Sequence, residues 1–536
     1  MQSSDELDAI IIADSGVDTL SGTNPLKLKL DGHIADIQIV ANYIKNGGQV
    51  LSPVDGDNEL SWSSAPKLNG IFLYGFLSKN NFSVELIQNF AAEKDRFQRL
   101  LSKGPTAVII STPFIFFKQT LRVLADDIRS LAPDVYIIAG GAFIHYSYLL
   151  SCRVGDNRYE TRAAKDDFLF LQVNNEPEID LYIASPKGEE TLCRALRLLN
   201  AGKSLDALDN SIHLAGGSYL FGPRTDDITH SNAPKIDWNT LPDSIYTSGI
   251  VPLQASNGCP YNCSFCNFTK DRRLTYVKPL DQLIKELQTI QRRGAEYVWF
   301  VDDNFRLGRD DLNEVCQRFI DEDIKVKWMC FIRASTLKNA DLGLLRRAGC
   351  IEVQIGLESG DPLILKNMNK KADPEMYREV VNRLMQNGIN ISCYFISGFP
   401  GETEESAART RSFIHSIENP KAEGALSWSI YPFLLSPLSP VYEPEMREQF
   451  GLKGYMNSWS HKTMDYQGAK QLVAKAFFEL ENSGPIYRGD NLELLMNMSP
   501  RKRKLFYTTR HNLSKKLIHG PVDTDEIVRS FQNFFT

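Results

Sequence analysis

Two stretches of the chain alternate short apolar strands with helix-period segments, and this alternation restricts the fold more than any other feature. In the first, Ala9 to Ile12, Ser83 to Ile87, Ala107 to Ser111 and Val135 to Ala139 read as buried strands. Helical patterns intervene at Gly70 to Leu77, Asp95 to Ser102 and Thr120 to Leu131, and the pattern continues through Leu181 to Ile183 and Glu190 to Asn200. In the second, strands are expected at Pro252 to Ala255, Tyr297 to Val301, Lys327 to Ile332, Glu352 to Gly356, Ser392 to Ile396 and Ala425 to Ile430. Helices lie between these too, for example Leu280 to Arg292 and Pro374 to Gln386. Parallel strands need long crossovers, so this spacing predicts an α/β protein with parallel sheets covered by helices. Six repeats in the second stretch predict an open (β/α) barrel, whose chemistry belongs at the C-terminal strand ends. The segment from Phe221 to Gly249 is turn-rich and reads as a connection. The residues after the barrel are mostly helical, and their Arg501-Lys502-Arg503-Lys504 run is expected to be a solvated face.

With 536 residues, 43% hydrophobic and 24% charged, the chain has the composition of a multidomain globular protein. Its net charge of −6 lacks the basic field that non-specific nucleic-acid binding uses, so no nucleic-acid partner is expected. No apolar stretch reaches the roughly 18–20 residues of a membrane helix, and Asp5, Glu6 and Asp8 stand where a secretory signal would be basic. The expectation is a cytoplasmic protein without a membrane span. Nine cysteines, an odd number, argue against a disulfide framework. Six are scattered and read as small buried hydrophobes.

The other three form Cys259-Pro-Tyr-Asn-Cys263-Ser-Phe-Cys266, directly after the first strand of the second alternation. Three thiolates on one loop can converge on one soft metal centre. Zinc would want a fourth ligand from a second close pair, and none follows at suitable spacing. Three ligands suit a cubane [4Fe–4S] cluster with one iron left open.

This CxxxCxxC at the end of the first barrel strand, with Phe265 before the last cysteine, resembles the radical S-adenosylmethionine (SAM) superfamily. The resemblance implies a [4Fe–4S] cluster on Cys259, Cys263 and Cys266, with SAM chelating the open iron and being cleaved to a 5′-deoxyadenosyl radical. It continues in family order along the barrel. Asp302 and Asp303, ending the second strand, stand where the family holds the SAM amine, though the usual glycines are missing. Arg333 matches a position that pairs with the SAM carboxylate, a task suited to a bidentate guanidinium. Glu358 and Ser359 resemble the ribose-binding segment. The segment Gly398-Phe399-Pro400-Gly401-Glu402-Thr403, with Gly398 and Pro400 as the expected contacts, resembles the one that meets adenine through its backbone.

The first alternation resembles the Rossmann-like cobalamin-binding domain of cobalamin-dependent radical SAM enzymes. Ser111-Thr112 ends one strand and Gly140-Gly141 the next, and small residues there let the backbone approach the corrin. Asp31-Gly32-His33 resembles a motif that supplies histidine to cobalt, but it lies too far ahead of Ser111, and Asp36 replaces its glycine. His33 is therefore read as incidental, and the segment Ser64 to Asn69, at the expected spacing, has no histidine.

The expected organisation is a cobalamin domain over 1–215, a linker over 216–250, a partial (β/α)6 radical SAM barrel over 251–445 and a helical region over 446–536. The resemblance implies radical methylation of an unactivated carbon through methylcobalamin, on a small-molecule substrate, with an external electron donor such as flavodoxin or ferredoxin. Two alternatives stand beside it: a non-methylating cyclisation, ring contraction or oxidation, and a corrinoid-binding protein without radical chemistry. No residue is assigned as catalytic. The segment Trp459 to Tyr466 either caps the cavity or packs helices, and Tyr394, Trp428 and Tyr431 are candidates for the barrel lining.

Overall fold

The structure, a computed structural model, describes residues 7–16, 28–30, 33–35, 37–47, 65–156, 164–172, 176–205, 208–225, 236–267, 276–308, 311–486, 495 and 497–535. The chain forms two compact units, Met1–Leu20 with Pro66–Leu241, and Ser21–Ala65 with Pro242–Thr536.

The first unit is built on β1 (Ala9–Ile12), β2 (Val84–Ile87), β3 (Ala107–Ser111), β4 (Tyr136–Gly140), β5 (Leu181–Ile183), β6 (Ser211–Ala215) and β7 (Ser218–Phe221). Their order in the sheet is β2-β1-β3-β4-β5-β6-β7. The first five are parallel and the last two antiparallel. Runs such as Ala107-Val-Ile-Ile-Ser111 are buried along their whole length, as expected of a strand covered on both faces. The helix Lys118–Leu131 turns Leu121, Leu124, Ala125 and Ile128 inward at helical spacing. An order of 2-1-3-4-5 reverses direction between β1 and β3, and ligands of open α/β sheets sit at such a reversal, outside the carboxyl ends of the strands.

The second unit carries β8 (Ile250–Leu253), β9 (Tyr297–Phe300), β10 (Lys327–Phe331), β11 (Cys350–Glu358), β12 (Asn390–Ser397), β13 (Leu426–Pro432) and β14 (Gly484–Pro485). All pair in parallel and in sequential order, the topology of an open barrel. The six expected strands are present, and the two-residue β14 extends the sheet beyond β13. A three-stranded antiparallel sheet over 453–465 interrupts the C-terminal helices.

Two features depart from the sequence pattern. Leu28, Leu30, Ile37, Val40 and Ala41 belong to the second unit and pack in one core with Phe506, Ile527, Phe531 and Phe535 of the last two helices. His33 lies in this segment, in a short strand paired with Leu28–Leu30, while Asp31, Gly32 and Asp36 fall outside the described residues. The basic run is a solvated face only at its start, where Arg501 is exposed and Lys502 half-buried. Arg503 is 1% exposed on its side chain and pairs with Glu352 of β11 at 3.2 Å, and Lys504 Nζ donates to the carbonyls of Asn419 and Ala422 at 2.9 and 2.7 Å. Glu352 accepts further from Ser392 Oγ at 2.7 Å, so the last long helix closes the barrel at the start of its strands.

Candidate active site

The cysteine loop leaves the barrel sheet at the end of β8. Its entry is held by a carboxylate from the neighbouring strand end: Asp302, 1% exposed, accepts the backbone N–H of Ala255 at 3.0 Å and the hydroxyl of Ser256. Burial raises the Asp302 carboxyl to about 6 against the pull of these donors. Asp303, exposed beside it, accepts the N–H of Gly258 at 3.0 Å. Both carboxylates thus serve the loop backbone; Asp303 alone also faces solvent, where an amine can reach it.

Cys263 is buried, and Cys259 and Cys266 are half-buried, all as free thiols. The N–H of Cys266 donates to the Cys263 carbonyl at 3.2 Å, and Ser264 is tied to the Met368 carbonyl at 2.9 Å. Burial pushes the Cys259 thiol up, opposed by the N–H of Tyr261 and by Arg333. Among the described residues no three His, Cys, Asp or Glu side chains gather as a single-ion site. Ligands of one zinc stand about 4 Å apart, given zinc–sulfur bonds of ~2.3 Å. Three thiols carried by one loop, with a guanidinium against them, match the donor set of a cluster whose irons each take one thiolate.

Arg333 follows β10, and its backbone N–H donates to Asn304 Oδ1 at 3.1 Å. Its guanidinium lies over the Tyr261 ring at 3.8 Å, reaches Cys263 Sγ at 3.5 Å and donates to the Lys370 carbonyl. Glu358 ends β11 across a register shift, with φ of +66°. A non-glycine residue there is strained, and such strain concentrates at functional positions. Its carboxylate folds back over Gly356, where a Cβ would come within 2.2 Å of Glu358 Oε1. Lys370, which sequence reasoning missed, pairs with Glu358 at 2.8 Å and stands 5.8 Å from the centre of the Phe265 ring. It lies beyond any strand end, on a loop after a short helix, so no strand-end pattern marks it.

Ser359 is fully buried, bonded to Thr410 Oγ1 at 3.1 Å and accepting the N–H of Asp361 at 3.0 Å. It locks a turn rather than facing the barrel mouth. The turn after β12 is built around Gly398, whose φ is +87° and whose missing Cβ leaves room for Trp459. Glu402 accepts from Gly398 N and from Ser397 Oγ, and the Pro400 carbonyl accepts from Asn367 Nδ2 at 3.1 Å. Trp459 donates to the Phe433 carbonyl at 2.8 Å and stacks on His461, whose Nε2 meets the Gly398 carbonyl at 3.1 Å. The Trp459 segment therefore buttresses the Gly398 turn from behind. Of the lining candidates, Tyr394 is half-buried beside Phe331 at 5.8 Å, and Tyr431 is half-buried on β13. Trp428 instead points away, donating to Ser483 at 3.1 Å.

In the first unit Ser111, the last residue of β3, and Thr112 stand beside the reversal point, next to Gly140, the last residue of β4, and Gly141. Thr112 donates to the Gly140 carbonyl through both its N–H and its hydroxyl, each at 2.9 Å. Gly141 has φ +111°, and a Cβ on it would meet Thr112 N and Oγ1 at 3.1 Å; at Gly140 the same atom would find ordinary contacts of 3.6 Å. Asn69 Nδ2 bridges the Ala13 carbonyl and Ser111 Oγ at 2.9 Å each, joining the ends of β1 and β3. Its Oδ1 is buried with no partner among the described residues. A side-chain-free cradle and an unsatisfied acceptor at the reversal point fit a large ligand lying across these strand ends.

Residues 253–414 match the family model of the radical SAM superfamily. An uncharacterised methyltransferase of Pyrococcus horikoshii is 27% identical over 257 residues, covering 46% of this chain and 55% of the relative. The anaerobic magnesium-protoporphyrin IX monomethyl ester cyclase of Cereibacter sphaeroides is 26% identical over 444 residues, 77% of this chain and 64% of that one. The chain thus spans less than two thirds of the length of these relatives. Among solved structures, the cobalamin-dependent SAM radical enzyme OxsB, with aqua-cobalamin and SAM bound, superposes with a TM-score of 0.57 at 16% identity, over 98% of this chain and 75% of its own. The radical SAM methyltransferase TsrM of Kitasatospora setae, with cobalamin and a [4Fe–4S] cluster, gives 0.52 at 16% identity over 83% and 78%. At such identities the likeness is one of fold. Residues 253–414 thus carry a radical SAM domain, and the chain has the fold seen in OxsB and TsrM.

Proposed function

We propose that the chain methylates an unactivated carbon of a small molecule, with a [4Fe–4S] cluster on Cys259, Cys263 and Cys266, SAM at the barrel mouth and cobalamin on the first unit. Together these groups supply a 5′-deoxyadenosyl radical and a transferable methyl group. The chain's own residues supply placement. Asp302 and Asp303 fix the cysteine loop, Glu358 offers a carboxylate to the ribose, and the Gly398 turn presents backbone groups to the adenine. Ser111, Thr112, Gly140 and Gly141 keep the reversal point of the first sheet open to the corrin. Phe331 and Tyr394 give the barrel an aromatic wall against which an apolar carbon can be held away from water.

The observation that carries this reading is the thiol triplet on the loop after the first barrel strand, in a chain that also contains the 2-1-3-4-5 sheet. The other cysteines described in the barrel, Cys316, Cys330, Cys350 and Cys393, are buried in strands or helices and form no metal site among the described residues; electrons are proposed to come from an external flavodoxin or ferredoxin. The cyclase relative, matched over 77% of this chain, favours a second reading in which both cofactors serve a ring closure without methyl transfer. Anaerobic incubation of the reconstituted protein with SAM, reductant and hydroxocobalamin separates the two by mass spectrometry. Methylated cobalamin together with 5′-deoxyadenosine supports methylation; deoxyadenosine alone, with cobalamin bound, supports the second reading.

A further inference from the structure

Barrel strands turn their side chains alternately into the lumen and out to the helices. On β11 the inward face is marked at both ends. Glu352 accepts from Ser392 Oγ at 2.7 Å and pairs with Arg503 at the floor, and the Glu358 carboxylate folds back over Gly356 towards the mouth. Gln354 lies between them on that face, 1% exposed, and its Oε1 is buried with no partner among the described residues. Its neighbours in the sheet account for this. Phe331 stands beside it on β10 and has no polar group. Ser392 stands beside it on β12, with Ser427 next on β13; the Ser392 hydroxyl is committed to Glu352, and that of Ser427 lies 3.2 Å from it. A buried acceptor left without a donor is costly, and a fold that keeps one calls for an incoming group to meet it. The wall around it is aromatic: Phe331 is 5.8 Å from Tyr394 and 6.5 Å from Trp299 between ring centres. All three are half-buried, so side chains do not fill the lumen beside them. An apolar lumen with one placed polar group has the make-up of a small-molecule site.

We propose that Gln354 selects the substrate, a planar ring system carrying an N–H or O–H donor, which Oε1 accepts while the ring lies against Phe331 and Tyr394. This rests on the reading of the barrel as a radical SAM site that acts on a small molecule. An aliphatic chain gains apolar contact in such a lumen but leaves Oε1 unmet. A flat ring with a donor on its edge satisfies both the amide and the aromatic wall, whose rings favour offset-stacked or edge-on partners. Gln354 precedes Glu358 by four residues, about 13 Å of strand, and the Arg503–Glu352 pair closes the lumen below it. The donor therefore goes in first, and the carbon to be attacked stays towards the cysteine loop.

Carbostyril and coumarin are planar bicycles of one shape that differ in an N–H replaced by a ring oxygen. The test is equilibrium dialysis of each against anaerobically reconstituted protein, with SAM present and reductant withheld. The hydrogen bond gained by carbostyril, against two acceptors facing each other with coumarin, supports a preference of about 10-fold in the unaltered protein. Gln354→Met, unbranched like glutamine, is expected to bind the two alike, and Gln354→Leu to do the same. Neither strands a partner, so iron content and the urea midpoint, which a structural role for the amide would lower, are expected to hold. Phe331→Leu is expected to weaken both probes by a similar factor and to keep their ratio. An unaltered protein that binds both probes alike, or neither, overturns the proposal, as does a Gln354→Met protein that keeps the full preference. In those cases 5′-deoxyadenosine formed by the unaltered protein once reductant is added shows that the radical SAM reading stands. Unaltered protein with its full iron that forms none overturns that reading, and the proposal with it.

Discussion

Asp303 accepts the backbone N–H of Gly258 at 3.0 Å, so the residue just before Cys259 is tied to the end of the neighbouring strand. With Asp302 on Ala255 and Ser256, the cysteine loop starts from a fixed point before any metal arrives. A loop held this way presents its thiols at a low entropy cost.

Replacing any of Cys259, Cys263 or Cys266 by Ala is expected to abolish the brown cluster absorbance and SAM cleavage together. Asp302→Ala should act differently. It strands a buried N–H and a hydroxyl, and is expected to lower folding stability by about 3 kcal/mol in urea titration, with iron content falling as a consequence.

Gly141→Ala is expected to weaken cobalamin binding by at least about 10-fold, since its φ of +111° is nearly closed to other residues and its Cβ would press on Thr112. Gly140→Ala, with 3.6 Å clearance, should bind cobalamin nearly as well as the unaltered protein. Iron content should not change in either, which visible spectra of the reconstituted proteins report.

His33→Ala should leave the spectrum of bound cobalamin unchanged. Its strand is grouped with the second unit rather than with the sheet that ends in Ser111 and Gly140. A shifted spectrum would restore histidine to cobalt.

Burial raises the Glu402 carboxyl to about 7 from 4.5, in spite of its hydrogen bonds to Gly398 and Ser397. Between those values the folded protein holds a proton that the unfolded chain has released. Stability therefore falls as pH rises through that window, by at most roughly 1.4 kcal/mol per pH unit, and is level above it. Glu402→Gln keeps an acceptor for Gly398 and should flatten that slope in denaturant midpoints taken from pH 4.5 to 7.5.

Arg503→Met leaves Glu352 charged at the floor of the barrel and is expected to cost about 3–5 kcal/mol. Pairing it with Glu352→Gln should recover most of that loss in the same denaturation experiment, because the uncompensated charge is then gone.

Local pattern was sufficient for much of this protein. Continuous apolar runs bounded by turns marked the five parallel strands of the first sheet and six of the barrel strands, but not the antiparallel Ser211–Ala215 and Ser218–Phe221, nor Gly484–Pro485, which is too short to carry a period. The barrel strand ends then located the cysteine loop, Arg333 and Glu358, because a parallel strand must deliver its next residues to the same edge of the sheet as its neighbours. What each residue does at that edge was decided by packing. Ser359 and Trp459 sit at or near strand ends, yet both are consumed in internal hydrogen bonds, and nothing in their neighbouring sequence distinguishes them from an exposed contact. Lys370 joins Glu358 only because a helix and a loop return it there from twelve residues away. The same holds for the segment around Leu28 to Ala41, whose apolar residues have their partners some five hundred residues later in Phe506 and Phe531, and for Arg503, which reads as one charge in a basic run until the last long helix carries it under the barrel. Period and turn chemistry act over a few residues and so are written in the sequence; the choice of partner across hundreds of residues depends on shape and desolvation, which exist only once the chain has packed.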